Sequence, residues 1–196
     1  MKSTVVFPEQ KLAIVTIPKV GGSSIKAAVL KMRGIEVEDE DVPHRHEVLN
    51  LCSVNDVPRG FSVFAFLRNP WERLVSCYVQ KICTWRCKDQ GFNTMGCNQG
   101  MPFNDFIDVV CRKPRGNPHW QPQSEFIGRR KSLRLYDLKE ISRGWRHLQE
   151  VVPGLPELPH YNKSDHKGYR SYYSDHSRRR VEMLCHREIE LMGFRF

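Results

Sequence analysis

The sequence predicts an α/β fold in which a parallel β-sheet is flanked by helices. The main observation is that a strand, a loop and a helix follow one another twice along the chain, and that a further strand and helix follow later. The predicted strands cover residues 12–17, 61–67 and 132–136, and the helices that follow them cover residues 23–33, 71–82 and 138–152. Strands that alternate with helices form a parallel sheet, because each crossover needs about the length of a helix.

Each element has its own local signals. Residues 12–17 form a continuous run rich in β-branched residues, as expected for a parallel strand that is covered on both faces. Gly34 ends the first helix, and Pro70 suits the first turn of the second. The apolar residues of the three helices recur at helical spacing: Ile25, Ala28, Val29 and Met32; then Trp71, Leu74, Val75, Tyr78 and Ile82; then Ile141, Trp145, Leu148 and Val152.

The remaining segments complete a single predicted domain, residues 1–196. Residues 83–104 are irregular and rich in cysteine, which indicates an insertion or a lid. We also expect an acidic loop at 36–41, a short helix at 103–111, a loop with an aromatic anchor at 114–122, a proline-rich connector at 153–159 and a closing helix at 174–190.

The composition is that of a globular domain with an anionic partner. Of the 196 residues, 40% are hydrophobic and 27% are charged, and the formal net charge is +9. A basic chain favours a nucleotide, a nucleic acid or an acidic glycan, and charge alone does not choose among them. No run of 18 apolar residues occurs, and the first eight residues lack the apolar block of a signal peptide. As written, the chain is therefore expected to be cytoplasmic and to have no membrane span.

Seven cysteines are many for a cytosolic protein, and the number is odd. Their spacing does not match a zinc site, because the Cys97–Cys111 pair is too far apart for the usual close ligand pairs. Unpaired thiols, or one or two local disulfides in the region of Cys83, Cys87, Cys97 and Cys111, are the alternatives.

The loop after the first strand has the features of an anion site. Residues 17–24 read Ile-Pro-Lys-Val-Gly-Gly-Ser-Ser, a tight turn with a lysine that opens a helix. Backbone N–H groups in such a turn, the helix start and the lysine all favour a phosphate or sulfate group. A nucleotide kinase is the main competitor, but its loop places the lysine after the glycines, directly before a serine or threonine.

Three stretches of the sequence resemble the Golgi-type carbohydrate sulfotransferases, the group of the heparan sulfate 2-O-sulfotransferase and the chondroitin, dermatan and HNK-1 enzymes. Residues 17–24 are similar to the family's loop for the 5′-phosphosulfate of PAPS. Residues 66–78, Phe-Leu-Arg-Asn-Pro-Trp-Glu-Arg-Leu-Val-Ser-Cys-Tyr, are similar to its 3′-phosphate motif and carry the most specific resemblance. The third stretch is weaker and comprises residues 162–164, 169–173 and 188–194.

The resemblance implies a P-loop-like sulfotransferase fold and a nucleotide site. Lys19 would stabilise charge on the leaving phosphate, aided by the N–H groups of Gly21, Gly22, Ser23 and Ser24. Arg68 and Ser76 would hold the 3′-phosphate, and Ser164 and Lys167 would close over the nucleotide. The donor would be PAPS and the product PAP. No metal is expected, since no carboxylate is placed for magnesium and sulfuryl carries less charge than phosphoryl.

The resemblance also implies a general base and an acceptor. His46 is the first choice and His44 the second, because a His-x-His pair precedes the 3′-phosphate arginine in the 2-O-sulfotransferase, and His46 lies 22 positions before Arg68. The alternative is that either histidine only caps a surface loop. The acceptor would be an anionic or neutral glycan, with no nucleic-acid partner.

Two further groups are candidate substrate contacts. His119-Trp120 is similar to a His-Trp element in the chondroitin-type enzymes, and its alternative is that Trp120 only anchors a loop. Arg129 and Arg130 would line a path for a polyanionic glycan, and their alternative is a solvated face.

The sequence also departs from the resembling family. Val20 stands where a threonine is common, and the sequence as written is expected to carry no membrane anchor or stem. A trimmed catalytic domain from the Golgi lumen, a microbial or viral relative and an intracellular enzyme all remain open. The alternatives to a sulfotransferase are a nucleotide kinase and a non-catalytic basic module that binds nucleic acid or glycan.

Overall fold

The computed structural model describes residues 1–35, 46–84, 91–130, 132–159 and 168–196, with only the backbone of residues 46–47. The strands are β1 (Thr4–Phe7), β2 (Leu12–Val15), β3 (Ser62–Leu67) and β4 (Leu133–Asp137). The helices are α1 (Gly22–Met32), α2 (His46–Leu49), α3 (Pro70–Tyr78), α4 (Phe103–Arg112), α5 (Gln123–Ile127), α6 (Ile141–Val151), α7 (Asp175–Leu184) and α8 (His186–Met192).

The chain forms two compact units, which are described separately. The first unit comprises Met1–Leu67 and Phe126–Lys163, and the second comprises Arg68–Glu125 and Ser164–Phe196. The first contains the sheet, and the second is mainly helical.

The sheet of the first unit has the strand order β1-β2-β3-β4. The predicted parallel arrangement is confirmed, since β2 pairs with β3 and β3 with β4 in parallel, with Ile14 opposite Phe64 and Phe64 opposite Arg134. β1 was not predicted and pairs with β2 in the antiparallel direction. Only three residues of β1, Val5, Val6 and Phe7, are apolar, and so short a run does not show the periodicity of a strand.

Helix α6 lies against the sheet at Gly144. A Cβ atom at this position would lie 2.5 Å from Phe66 Cε1 and 2.8 Å from Tyr136 Cγ, so only a glycine permits this approach. The contact is reinforced by a hydrogen bond of 2.6 Å between Tyr136 Oη and His147 Nδ1. The predicted helix at 138–152 is confirmed, with a short 3₁₀ turn at Leu138–Glu140 before α6.

The second unit is built around an aromatic core. Helix α3 continues into a π-helical turn at Val79–Cys83, which confirms the helix predicted at 71–82. The core is formed largely by buried residues of α3, α4 and the loops beside them, including Trp71, Leu74, Val75, Phe92, Cys97, Phe106, Ile107 and Trp120. Burial of Phe92 and Cys97 shows that this part of the predicted insertion is anchored in the core.

The predicted closing helix at 174–190 is interrupted. Helix α7 ends and α8 begins at Cys185, whose backbone has φ −106° and ψ 19°. Helical periodicity does not reveal a break at a single residue, which explains the difference.

The cysteines of the described residues are free thiols. They are Cys52, Cys77, Cys83, Cys97, Cys111 and Cys185, of which Cys77, Cys97 and Cys185 are buried. Burial raises the pKa of the Cys185 thiol well above its usual range. Cys87 lies outside the described residues.

No helix in the described ranges is both long and apolar enough to cross a membrane.

Candidate functional site

The loop between β2 and α1 has left-handed backbone conformations at two positions. Lys19 and Gly21 both have a φ of +69°, whereas Val20 between them has a negative φ. Alternation of left-handed and right-handed residues turns successive N–H groups toward one side of the chain. The turn is closed by a hydrogen bond of 3.3 Å from Val20 N to Ile17 O. A left-handed lysine is unusual and indicates a loop that is held in place by its surroundings.

The two glycines of the loop are required by geometry. Gly21 has the left-handed conformation, and a Cβ atom there would lie 3.2 Å from Ile141 Cδ1 at the start of α6. A Cβ atom on Gly22 would lie 3.0 Å from the Ile17 carbonyl oxygen. The two glycines are therefore packed tightly, Gly22 against the backbone of Ile17 and Gly21 against the start of α6.

Helix α1 begins without a cap of its own. Gly21 is its N-cap residue and has no side chain that could cap the helix, and the first turn contains no acidic residue. The first N–H groups of a helix have no acceptor inside the helix and carry partial positive charge. These N–H groups give the start of α1 a partial positive charge, which is favourable for an anion. One turn later, burial lowers the pKa of the Lys26 ammonium and so disfavours its charged form.

Arg68 follows β3 directly. Because β2 and β3 are parallel, with Val15 opposite Ala65, the carboxyl ends of the two strands lie at the same edge of the sheet. The Arg68 side chain is only 12% exposed, and its Nη2 lies 2.9 Å from Glu72 Oε1. Glu72 therefore orients the guanidinium.

The helix after Arg68 starts with a strong cap. Asn69 Oδ1 accepts hydrogen bonds from Trp71 N at 3.1 Å and Glu72 N at 3.3 Å, and Pro70 occupies the first turn. Ser76 lies one turn after Glu72, and residues four apart share a face of a helix. Ser76 is only 1% exposed, so the helix presents its hydroxyl in a buried setting.

The sequence of the chain matches a known family. A sequence model described as the sulfotransferase family matches residues 2–191. The chain belongs to the sulfotransferase family. Its members transfer sulfuryl groups, generally from PAPS with release of PAP, and share a P-loop-like fold, as the β2–loop–α1 unit shows here. A search of curated proteins and a search of solved structures gave no significant match.

Glu72 and Arg73 are neighbours in the Glu-Arg-Leu segment, but they contact different parts of the protein. Glu72 pairs with Arg68, whereas Arg73 is buried and donates hydrogen bonds to Gln121 O at 2.9 Å and Pro118 O at 3.2 Å. Burial lowers the pKa of the Arg73 guanidinium, and the carboxylate of Glu188 opposes this shift. Arg73 therefore stabilises the 118–121 loop.

Trp120 is the predicted anchor of that loop. It is fully buried, it donates a hydrogen bond of 2.9 Å from Nε1 to Lys113 O, and it packs against Phe92 and Phe106. No face of its ring is exposed to a substrate. His119 is half-buried, and its N–H donates to Asn117 Oδ1 at 2.9 Å.

The two arginines predicted to line a glycan path differ. Arg130 donates hydrogen bonds to the carbonyls of Val54, Val57 and Pro58, which ties its guanidinium to the protein's own backbone. Arg129 is exposed. The structure therefore favours a structural role for Arg130 and leaves Arg129 as the accessible cation of the pair.

Several predicted site residues are not placed by the structure. His44, Ser164 and Lys167 lie outside the described residues, and His46 begins α2 with its side chain outside them. Within the described ranges, no group of three or more His, Cys, Asp or Glu side chains is arranged to hold a metal ion.

The structure also shows polar features that the sequence analysis missed. Residues of β4 and α6 line an open pocket of about 310 Å³; they are Tyr136, Arg143, Arg146, His147 and Glu150. Gln123 and Glu188 are fully buried beside the backbone of Arg68 and the start of α5. The sequence signals neither, because a single glutamine or glutamate on an amphipathic segment is usually a surface residue.

Proposed function

We propose that this chain is a PAPS-dependent O-sulfotransferase that acts on a hydroxyl group of a glycan. The observation that carries the proposal is the backbone of the Lys19–Gly22 loop. Its alternating φ signs, and the first N–H groups of α1 that have no acceptor inside the helix, suit an anionic group such as a phosphosulfate.

Bound PAPS supplies an activated sulfuryl group. Lys19 is assigned to the negative charge that develops on the leaving phosphate, and the N–H groups of Gly21, Gly22, Ser23 and Ser24 are assigned to its oxygens. Fixed donors of this kind stabilise a transition state because they need no reorganisation during the reaction.

Arg68 and Ser76 are assigned to the 3′-phosphate. A guanidinium that is held by Glu72 in a largely buried position binds a phosphate through charge-assisted hydrogen bonds, which are stronger where water is excluded. The family's motif places both residues on one strand–helix unit, and the Asn69 cap stabilises the start of that helix. Ser164 and Lys167 complete the proposed nucleotide site.

His46 is the proposed general base, with His44 as the alternative. An imidazole near its ordinary pKa accepts the proton of an attacking hydroxyl at neutral pH. The formal charge of +9 and the exposed Arg129 support a glycan acceptor that carries negative groups, although a neutral glycan is also compatible with an alcohol nucleophile. His119 stays a candidate contact for this acceptor.

A thermal-shift comparison of PAP, AMP and ATP tests the proposal. A ligand at 100 times its Kd stabilises the folded chain by about 2.7 kcal/mol, or a rise in Tm of about 5–10 °C. PAP should produce this shift and AMP a much smaller one, because only PAP carries the 3′-phosphate. A larger shift with ATP and magnesium favours a kinase, and equal shifts with PAP and AMP favour a non-catalytic basic module.

Transfer itself is measured as acceptor-dependent release of PAP from PAPS. We expect release to increase when a desulfated glycosaminoglycan is added to the full chain. The proposed acceptor class would be contradicted if the chain bound PAP but no glycan increased the release of PAP from PAPS.

A further inference from the structure

The side-chain amide of Gln123 forms hydrogen bonds with both the backbone N–H and the backbone carbonyl of Arg68. Arg68 N donates to Gln123 Oε1 at 2.9 Å, and Gln123 Nε2 donates to Arg68 O at 2.8 Å. The two residues are 55 positions apart in the chain, and Gln123 is 0% exposed. A side-chain amide that satisfies both main-chain groups of one residue restricts its backbone in the way that a neighbouring strand would.

Glu188 in turn holds the backbone of Gln123. Its Oε1 accepts from Gln123 N at 3.0 Å and its Oε2 from Ser124 N at 3.2 Å, so one carboxylate binds the first two N–H groups of α5. Glu188 is also 0% exposed. Because both carboxylate oxygens of Glu188 accept hydrogen bonds from this segment, the position of the Gln123 Cα atom is restricted.

The buried charge of Glu188 is balanced nearby. The buried guanidinium of Arg73 interacts favourably with Glu188 and donates to the carbonyls of Pro118 and Gln121, just before Gln123. Arg187 Nη1 also donates to Ser124 O at 3.4 Å. A buried carboxylate needs such partners, since an uncompensated one would be costly. At the start of α5, arginine side chains therefore bind backbone carbonyl groups, and Glu188 binds backbone N–H groups.

We propose that Gln123 and Glu188 are positioning residues for the 3′-phosphate site. Glu188 orients the start of α5, and Gln123 fixes the backbone of Arg68 at the end of β3. Together with the Glu72 contact, this restricts the guanidinium to one region before the ligand arrives, which lowers the entropy cost of binding. The inference rests on the proposed function, because it assigns Arg68 to a 3′-phosphate.

The test compares the affinities for PAP and AMP in matched variants of the full chain. Gln123→Leu removes both hydrogen bonds at similar volume, and Glu188→Gln removes the charge at the same shape. The control is Gln149→Leu, since Gln149 is a half-buried glutamine whose Nε2 donates to a different backbone carbonyl, that of Leu155, at 3.2 Å. Titration calorimetry supplies both dissociation constants, and thermal unfolding reports stability.

We expect Gln123→Leu to weaken PAP binding by about 10-fold and to leave AMP binding within about 2-fold, as for the loss of positioning of one charge-assisted contact. Glu188→Gln should act in the same direction. The control should keep the wild-type ratio of the two affinities. In an Arg68→Ala background, Gln123→Leu should have no further effect on PAP binding, because the residue acts through Arg68.

The outcomes separate the two proposals. A wild-type chain without preference for PAP over AMP contradicts the proposed function. A wild-type preference that persists in Gln123→Leu and Glu188→Gln overturns the positioning role while the proposed function stands. If Gln123→Leu does not fold, the ratio in Gln123→Glu, which keeps the acceptor and loses the donor, together with that in Glu188→Gln decides the question in the same way.

Discussion

Glu72 Oε1 lies 2.9 Å from Arg68 Nη2, one helical turn along the chain. The pair joins the residue that precedes the N-cap Asn69 to the first turn of the helix. A carboxylate in this place orients the guanidinium and also competes with any other anion for it. The proposed 3′-phosphate site therefore depends on a guanidinium that is already partly neutralised.

Arg68→Ala should weaken PAP binding by about 10- to 100-fold, since hydrogen bonds to a charged group contribute about 1.5–3 kcal/mol. The PAP affinity of Arg68→Lys should lie between those of wild type and Arg68→Ala, because an ammonium keeps the charge and loses the forked geometry. Calorimetry with PAP and AMP measures the effect. Arg143→Ala, which removes an exposed arginine on α6, is the control. Equal losses for PAP and AMP would contradict the assignment.

Lys19→Ala should lower kcat by about 10²- to 10³-fold, the usual effect of removing one donor from a developing negative charge. PAP affinity should fall much less, because the backbone donors of the loop remain. Steady-state rates and PAP calorimetry on the same preparation separate the two effects. A matched loss in both would show that Lys19 binds the nucleotide without acting on the transition state.

His46→Ala should retain PAP binding and lose about 10²- to 10⁴-fold in turnover, the usual contribution of a general base. His44→Ala is the matched variant two positions earlier in the chain. Acceptor-dependent PAP release measures both. Full activity in His46→Ala together with loss in His44→Ala would transfer the role to His44.

Gly144→Ala should destabilise the protein by about 1–3 kcal/mol, the usual cost of overpacking. The new methyl group would lie 2.5 Å from Phe66 Cε1, where both the helix and the strand would have to move. Thermal or urea unfolding measures the change. Ser142→Ala, at an exposed position of the same helix, is the control and should stay within about 0.5 kcal/mol of wild type.

Tyr78 should make the protein sensitive to alkaline pH. Burial, followed by the nearby Cys83 thiol, raises the pKa of Tyr78 to about 12. In the unfolded chain a tyrosine titrates near pH 10, so between pH 10 and 12 the unfolded state loses its proton first. The stabilisation is therefore fully present below pH 10 and is lost as the pH rises toward 12.

Urea unfolding at several pH values compares wild type with Tyr78→Phe. The variant should be less stable by about 1 kcal/mol at neutral pH, since it loses the hydrogen bond from Tyr78 Oη to Met101 O. Its stability should also fall less steeply than that of wild type above pH 10. Parallel slopes in the two proteins would contradict the pKa shift of Tyr78.

Much of the fold could be predicted from short stretches of sequence. The strands β2, β3 and β4 and the helices that follow them agree with the apolar periodicity of their own segments. The break at Cys185 and the short strand β1 could not be predicted. The break at Cys185 is a change in the backbone conformation of a single residue. The strand β1 is too short to be identified without its pairing to β2.

Short stretches of the chain were enough to predict the parallel sheet and the position of the proposed anion loop. Both follow from local chemistry, since the order of lysine and glycines sets the turn and periodicity sets the neighbouring strand and helix. How the backbone of Arg68 is supported is seen only in the folded protein. Gln123 reaches it over 55 positions, and Glu188 reaches Gln123 over 65. Hydrogen bonds between such distant buried groups arise only when the chain is packed, because no periodic pattern encodes which polar side chain will meet which backbone group.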